Sequence, residues 1–236
     1  MRYRRLFVSA SVVALLSAAL TYAPGAAASA CPAPGSSVGN LVIGAGTTCT
    51  LDNVRVSGNV SVGAHAVLST KNGTKIQGSL SGTNVRRLTL LGGSIGDSLS
   101  ISGTDGSGNT SKVCGVTIKL NVLITQIGNE DEVDFGDDPP ATCVGNTVGG
   151  SVNASNNGSF TPNVETELEV DSNHIGGSLA MNNNNNTVMD AAGNTIQGSF
   201  TCSGGRDSDG HPNVPKNDEV PNSVGGTRTC FPTPNP

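Results

Sequence analysis

The sequence predicts an all-β fold, a single right-handed parallel β-helix built as a three-sided solenoid of about eight to nine coils with disulfide staples. Three observations carry this. Large side chains are scarce, a short motif recurs along residues 31–230, and six cysteines fall at positions that suit coil-to-coil bridges. The chain has 32 Gly, 24 Asn, no Trp and 3% aromatic residues, so it lacks the bulk to fill a broad core and suits a thin one repeated many times.

Residues 1–30 precede the repeat. A basic start (Arg2, Arg4, Arg5), an apolar run from Leu6 to Leu20 and the small-residue end Ala28-Ser29-Ala30 read as a secretory signal peptide, with the mature chain starting at Cys31. Arg4-Arg5 also fits a twin-arginine signal, and the cysteine after Ala30 loosely fits a lipoprotein box, so the export route and lipidation stay open. Residues 31–230 then form one domain, and 231–236 a Pro-rich tail. No second apolar run follows, so no transmembrane segment is expected. The expected location is secreted and extracellular, with attachment to the cell surface allowed, and the expected state is a monomer. A net charge of −5 gives no footprint for nucleic acid.

The repeat is an aliphatic residue, a pair whose second member is usually Gly, a small polar residue, then alternating apolar positions. Val56-Ser57-Gly58-Asn59-Val60-Ser61-Val62, Ile76-Gln77-Gly78-Ser79-Leu80 and Ile175-Gly176-Gly177-Ser178-Leu179 are three copies. With the small polar residue as anchor (59, 79, 98, 121, 151, 178, 199, 227), the spacings are 20, 19, 23, 30, 27, 21 and 28. The shortest values are one coil of three short strands and three bends; the longer ones are coils with inserted loops, such as 203–222. The period-2 alternation after each anchor marks strands, with Val60 and Val62 inward. Each Gly is expected at a bend needing positive φ, and Asn146, Asn173, Asn194 and Asn222 are expected to tolerate that region and to stack as a hydrogen-bonding ladder. Eight anchored coils at about 4.8 Å make a rod of roughly 40 Å.

An even cysteine count in an exported chain implies disulfides, and six cysteines allow about fifteen connectivities. The register selects among them. Cys202 and Cys230 hold the same place in successive coils, Cys114 and Cys143 lie seven and eight residues before consecutive anchors, and Cys31 with Cys49 ties the first coil. Without a C-x-x-C, and with His65, His174 and His211 far apart in sequence, a zinc site is not expected.

The candidate chemistry lies in the long coils. The segment 129–138 holds Glu130, Asp131, Glu132, Asp134, Asp137 and Asp138, and one coil later Glu165, Glu167, Glu169 and Asp171 alternate with Val164, Leu168 and Val170. The alternation points those four carboxylates outward from one face, and their offsets from the anchors overlap those of the first group. Glu130, Asp131, Asp134, Asp137, Asp138, Glu165, Glu167 and Glu169 are therefore candidate ligands for Ca²⁺, a hard cation that takes oxygen ligands. The spacing matches no EF-hand and no glycine-aspartate nonapeptide.

The Asn-Thr-Val-Gly-Gly-Ser-Val and Asn-Thr-Ile-Gln-Gly-Ser-Phe units, the cysteine at the mature N-terminus and the segment from Cys202 to Cys230 resemble a group of small secreted actinobacterial β-helix proteins. The likeness spans residues 31–230 and implies fold and export, but brings no catalytic residues. The functional expectation is a non-enzymatic structural or surface protein that binds extracellular glycan or another cell-surface component. The alternatives are a polysaccharide lyase or hydrolase of the pectate-lyase-like type and, more weakly, an ice-binding protein. Gly136-Asp137-Asp138 resembles the paired aspartates of polygalacturonases, but their other elements are missing, and Lys112 and Lys119 are the nearest candidates for a lyase base. No regular Thr-x-Thr rows support ice binding.

Overall fold

The computed structural model describes residues 30–128, 130–136, 143–158, 166–185, 187–203 and 221–229. Among these residues each coil visits three faces in turn, and all pairing between coils is parallel. The first face stacks nine two-residue strands, Ser37–Val38, Arg55–Val56, Lys75–Ile76, Ser94–Ile95, Thr117–Ile118, Thr147–Val148, His174–Ile175, Thr195–Ile196 and Ser223–Val224. The second stacks eight, Leu41–Ile43, Val60–Val62, Leu80–Val85, Leu99–Thr104, Val122–Thr125, Val152–Ala154, Leu179–Ala180 and Phe200–Thr201. The third stacks seven, Thr48–Asp52, Val67–Lys71, Arg87–Leu91, Thr110–Cys114, Glu132–Phe135, Thr166–Val170 and Thr187–Asp190. The chain is thus an all-β solenoid of about seven turns.

The core is a set of columns running the length of the rod. On the first face the inward position is β-branched in every rung, from Val38 through Val56, Ile76, Ile95, Ile118, Val148, Ile175 and Ile196 to Val224. β-branched side chains suit this pleated packing, where each meets its counterpart one rung above and below. Leu41, Val60, Leu80, Leu99, Val122, Val152, Leu179 and Phe200 form the matching column of the second face. No large aromatic core is needed because each rung buries only a few aliphatic groups.

The anchor residues have a physical reason for being small and polar. The backbone N–H of each donates to the side-chain oxygen of the anchor one coil earlier: Asn59 to Asn40, Ser79 to Asn59, Ser151 to Asn121, Ser178 to Ser151, Ser199 to Ser178 and Thr227 to Ser199, at 2.8–3.1 Å. A Cβ on Gly177 or Gly198 would stand 2.4 Å from the Oγ of the anchor below. These glycines are therefore required by close approach. Their φ is not positive, which corrects the expectation from sequence. Where Asp97 and Leu120 replace Gly, the ladder bond lengthens to 3.5 Å at Ser98 and 3.3 Å at Asn121.

The left-handed bends lie at the other two corners. Asn53, Asn72, Gly92, Gly115, Ser172 and Gly193 turn the chain from the third face to the first with φ of 52–64°, and His65, Gln126, Asn156 and Asn183 follow the second face with φ of 55–60°. Asn146, Asn173, Asn194 and Asn222 are not in that region but form the expected ladder, in which the backbone N–H of Asn146, Asn173 and Asn194 each donates to the Oδ1 of the next asparagine. Each Nδ2 caps a carbonyl at the end of a third-face strand or its bend, as Asn173 does for Phe135 at 2.7 Å. Asn157 and Asn184 repeat the device at the second corner.

Cys31–Cys49 and Cys114–Cys143 are bonded, with Cα separations of 5.4 and 4.9 Å. Cys202 is also in a disulfide; its expected partner, Cys230, lies outside the described residues. Among the described residues no helix is long and apolar enough to cross a membrane.

Candidate metal centre

The third face carries two outward columns that turn acidic towards its C-terminal rungs. Register places Lys112, Asp134, Glu169 and Asp190 in one column, and Thr110, Glu132, Glu167 and Val188 in the other. The two acidic stretches thus meet on adjacent rungs, about 4.8 Å apart. Carboxylate oxygens of Glu132, Asp134 and Glu169 all come within 4.8 Å of one another. Two oxygens on one Ca²⁺ stand at most about 5 Å apart, since each is 2.3–2.6 Å from the ion, so this set fits a single ion with water completing the shell.

Asp134 is the unusual member. Its side chain is only 1% exposed although it points away from the apolar core. Oδ2 accepts from the Lys112 ammonium, while Oδ1 has no hydrogen-bond partner among the described residues. Burial pushes its carboxyl up to about 7 against the opposing Lys112 hydrogen bond, and Glu132 adds to the rise through its negative charge and by accepting a hydrogen bond from the protonated form. Lys112 balances one negative charge here, and the two further carboxylates beside this buried group leave an excess that a proton or a second cation would offset. Glu132 is oriented by the Thr110 hydroxyl, which donates to Oε2.

The other candidate ligands divide. Glu167 neighbours Glu132 in the second column, and Glu130 is exposed in a bend with φ of 65°. Asp131 is buried, and its two oxygens accept the backbone N–H groups of Gly106 and Asn109 at 2.7 and 3.0 Å, which pins the preceding coil. Asp171 lies beyond the strand end, where it is buried and accepts the Ala192 N–H at 2.7 Å, so it does not share the outward face of Glu167 and Glu169. Asp137, Asp138 and Glu165 lie outside the described residues. Glu132 is not one of the eight candidates; its two-residue spacing from Asp134 is the signal that puts both on the same side of a strand. Lys112, named as a lyase base, is tied to Asp134 as an ion pair, and Lys119 stands on the first face.

No protein-family model matches the chain, no curated protein is found similar to it, and no solved structure matches it.

Proposed function

We propose that the protein is an exported, non-enzymatic solenoid that binds extracellular glycan or another surface component, with Ca²⁺ held between Glu132, Asp134 and Glu169. The observation that carries the metal assignment is the buried Oδ1 of Asp134, which has no donor among the described residues, beside two further carboxylates. The signal-like N-terminus, the bridged cysteines and the likeness to small secreted actinobacterial solenoids support export. Calorimetric titration of the metal-stripped mature protein with CaCl₂ tests the site. Saturable heat for one ion, lost in Glu169→Gln, is expected; no heat, or heat unchanged in the variant, contradicts it.

The lyase reading has one observation in its favour, a lysine touching the acidic group. An ammonium held in an ion pair is not a free base, so binding is preferred. Incubation with acidic polysaccharides should release no unsaturated or reducing ends. Their appearance, and their loss in Lys112→Ala, would reverse the choice.

A further inference from the structure

Charge is divided along the rod. Residues 31–120 contain seven Lys and Arg against three Asp and Glu, whereas residues 121–203 contain eleven Asp and Glu and no Lys or Arg. The net charge of −5 therefore conceals a basic half. Three of its cations, Arg55, Lys75 and Lys119, converge on an open groove of about 450 Å³ on the first face. None of the three has a salt-bridge partner among the described residues.

The groove follows from the register. Arg55 pairs with Lys75, Lys75 with Ser94 and Ser94 with Thr117, so two cations and two hydroxyls run up one outward column. The next column holds Ser57, Gln77, Gly96 and Lys119, each donating its N–H to the rung before. Gly96 floors the depression between Gln77 and Lys119. A Cβ there would stand 2.0 Å from the Gln77 carbonyl oxygen, so the floor stays open. Among the described residues Asp97 is the one acid on the rim. Like charges one rung apart, about 4.8 Å, repel unless an anion is shared between them.

We propose that this groove binds an anionic polysaccharide through carboxylate or sulfate groups, Arg55 taking one group in a two-pronged contact and Lys75 and Lys119 the flanking charges. This names the ligand class for the surface-binding role above and rests on it. A polymer fits better than a lone anion because the cations are strung along the rod axis with hydroxyl and amide donors between them, matching regularly spaced charges on an extended chain. Nucleic acid fits less well, since among the described residues no aromatic side chain lines the groove for base stacking.

Affinity electrophoresis of the full mature protein through gels containing polygalacturonate, heparin, polyphosphate or neutral dextran tests the proposal, with Ca²⁺ titrated in parallel. Retardation by polygalacturonate or heparin is expected, weakened about tenfold or more in Arg55→Ala/Lys75→Ala/Lys119→Ala, which should keep the wild-type melting temperature and Ca²⁺ response. Retardation by polygalacturonate alone assigns the carboxylate, and by heparin alone the sulfate. Equal retardation in the triple variant, retardation by polyphosphate as strong as by the sugars, or no retardation overturns it. Polymer binding lost in Glu169→Gln but kept in the triple variant would move the site to the third face, whereas a missing Ca²⁺ response with polymer binding intact overturns only the metal assignment.

Discussion

Asp134 shows how one residue departs from the regularity around it. Every rung offers an outward position at its place in the column, and Thr50, Ser69 and Thr89 fill it with hydroxyls before Lys112, Asp134, Glu169 and Asp190 fill it with charge. An unfolded Asp titrates near 3.9. In the metal-free fold the carboxyl holds its proton up to about 7, because burial disfavours the charge. Between these values the folded state binds more protons than the unfolded one, so this group makes stability fall as pH rises through that window and level off above it. Denaturant unfolding in chelator should show that decline between about pH 4 and 7, and Asp134→Asn should flatten it. At the buried ladder, Asn173→Ala would strand the Asn146 N–H, at about 1–3 kcal/mol, and remove one of the two donors to the Phe135 carbonyl, which keeps the Asp171 N–H, so a loss of roughly 2 kcal/mol in chemical denaturation is expected.

At the scale of the coil, the strands and bends obey different rules, and the sequence reveals them unequally. The period-2 alternation and the anchors located every first-face column and the start of each second-face strand, since inward Val and Ile at fixed offsets leave one register. The register places Cys114 beside Cys143, Cys31 with Cys49 is expected as the tie of the N-terminal cap to the first coil, and both bridges are present. The bends differ from the sequence expectation because glycine has two uses. At Gly177 it makes room for the Ser151 hydroxyl, whereas at Gly92 and Gly115 it takes up positive φ, and composition does not separate the two. Gly177→Ala should therefore cost about 1–3 kcal/mol by overpacking, read as a lower denaturation midpoint, although its φ is ordinary. Loops hid the rest: Asp131 and Asp171 look like their outward neighbours in sequence, but each turns to cap backbone N–H groups where the strand begins or ends.

For the whole molecule, a stack of thin rungs has no central core to absorb a defect, so its stability is carried by columns, ladders and staples repeated from coil to coil. The Cys114–Cys143 bridge closes a 29-residue separation across the long coil, and its reduction should lower stability by about 3 kcal/mol in equilibrium unfolding. The basic first half and acidic second half set the first-face groove and the third-face carboxylates apart as separate candidate sites on one solenoid. A cation at Glu132, Asp134 and Glu169 joins two successive rungs in the acidic half, so binding it should stabilise the fold by linkage. The most direct measurement is thermal unfolding of the metal-stripped mature protein with and without millimolar CaCl₂, beside Asp134→Asn. A rise in melting temperature of several degrees in the wild type alone is the predicted result; no rise, or an equal rise in the variant, would contradict the account.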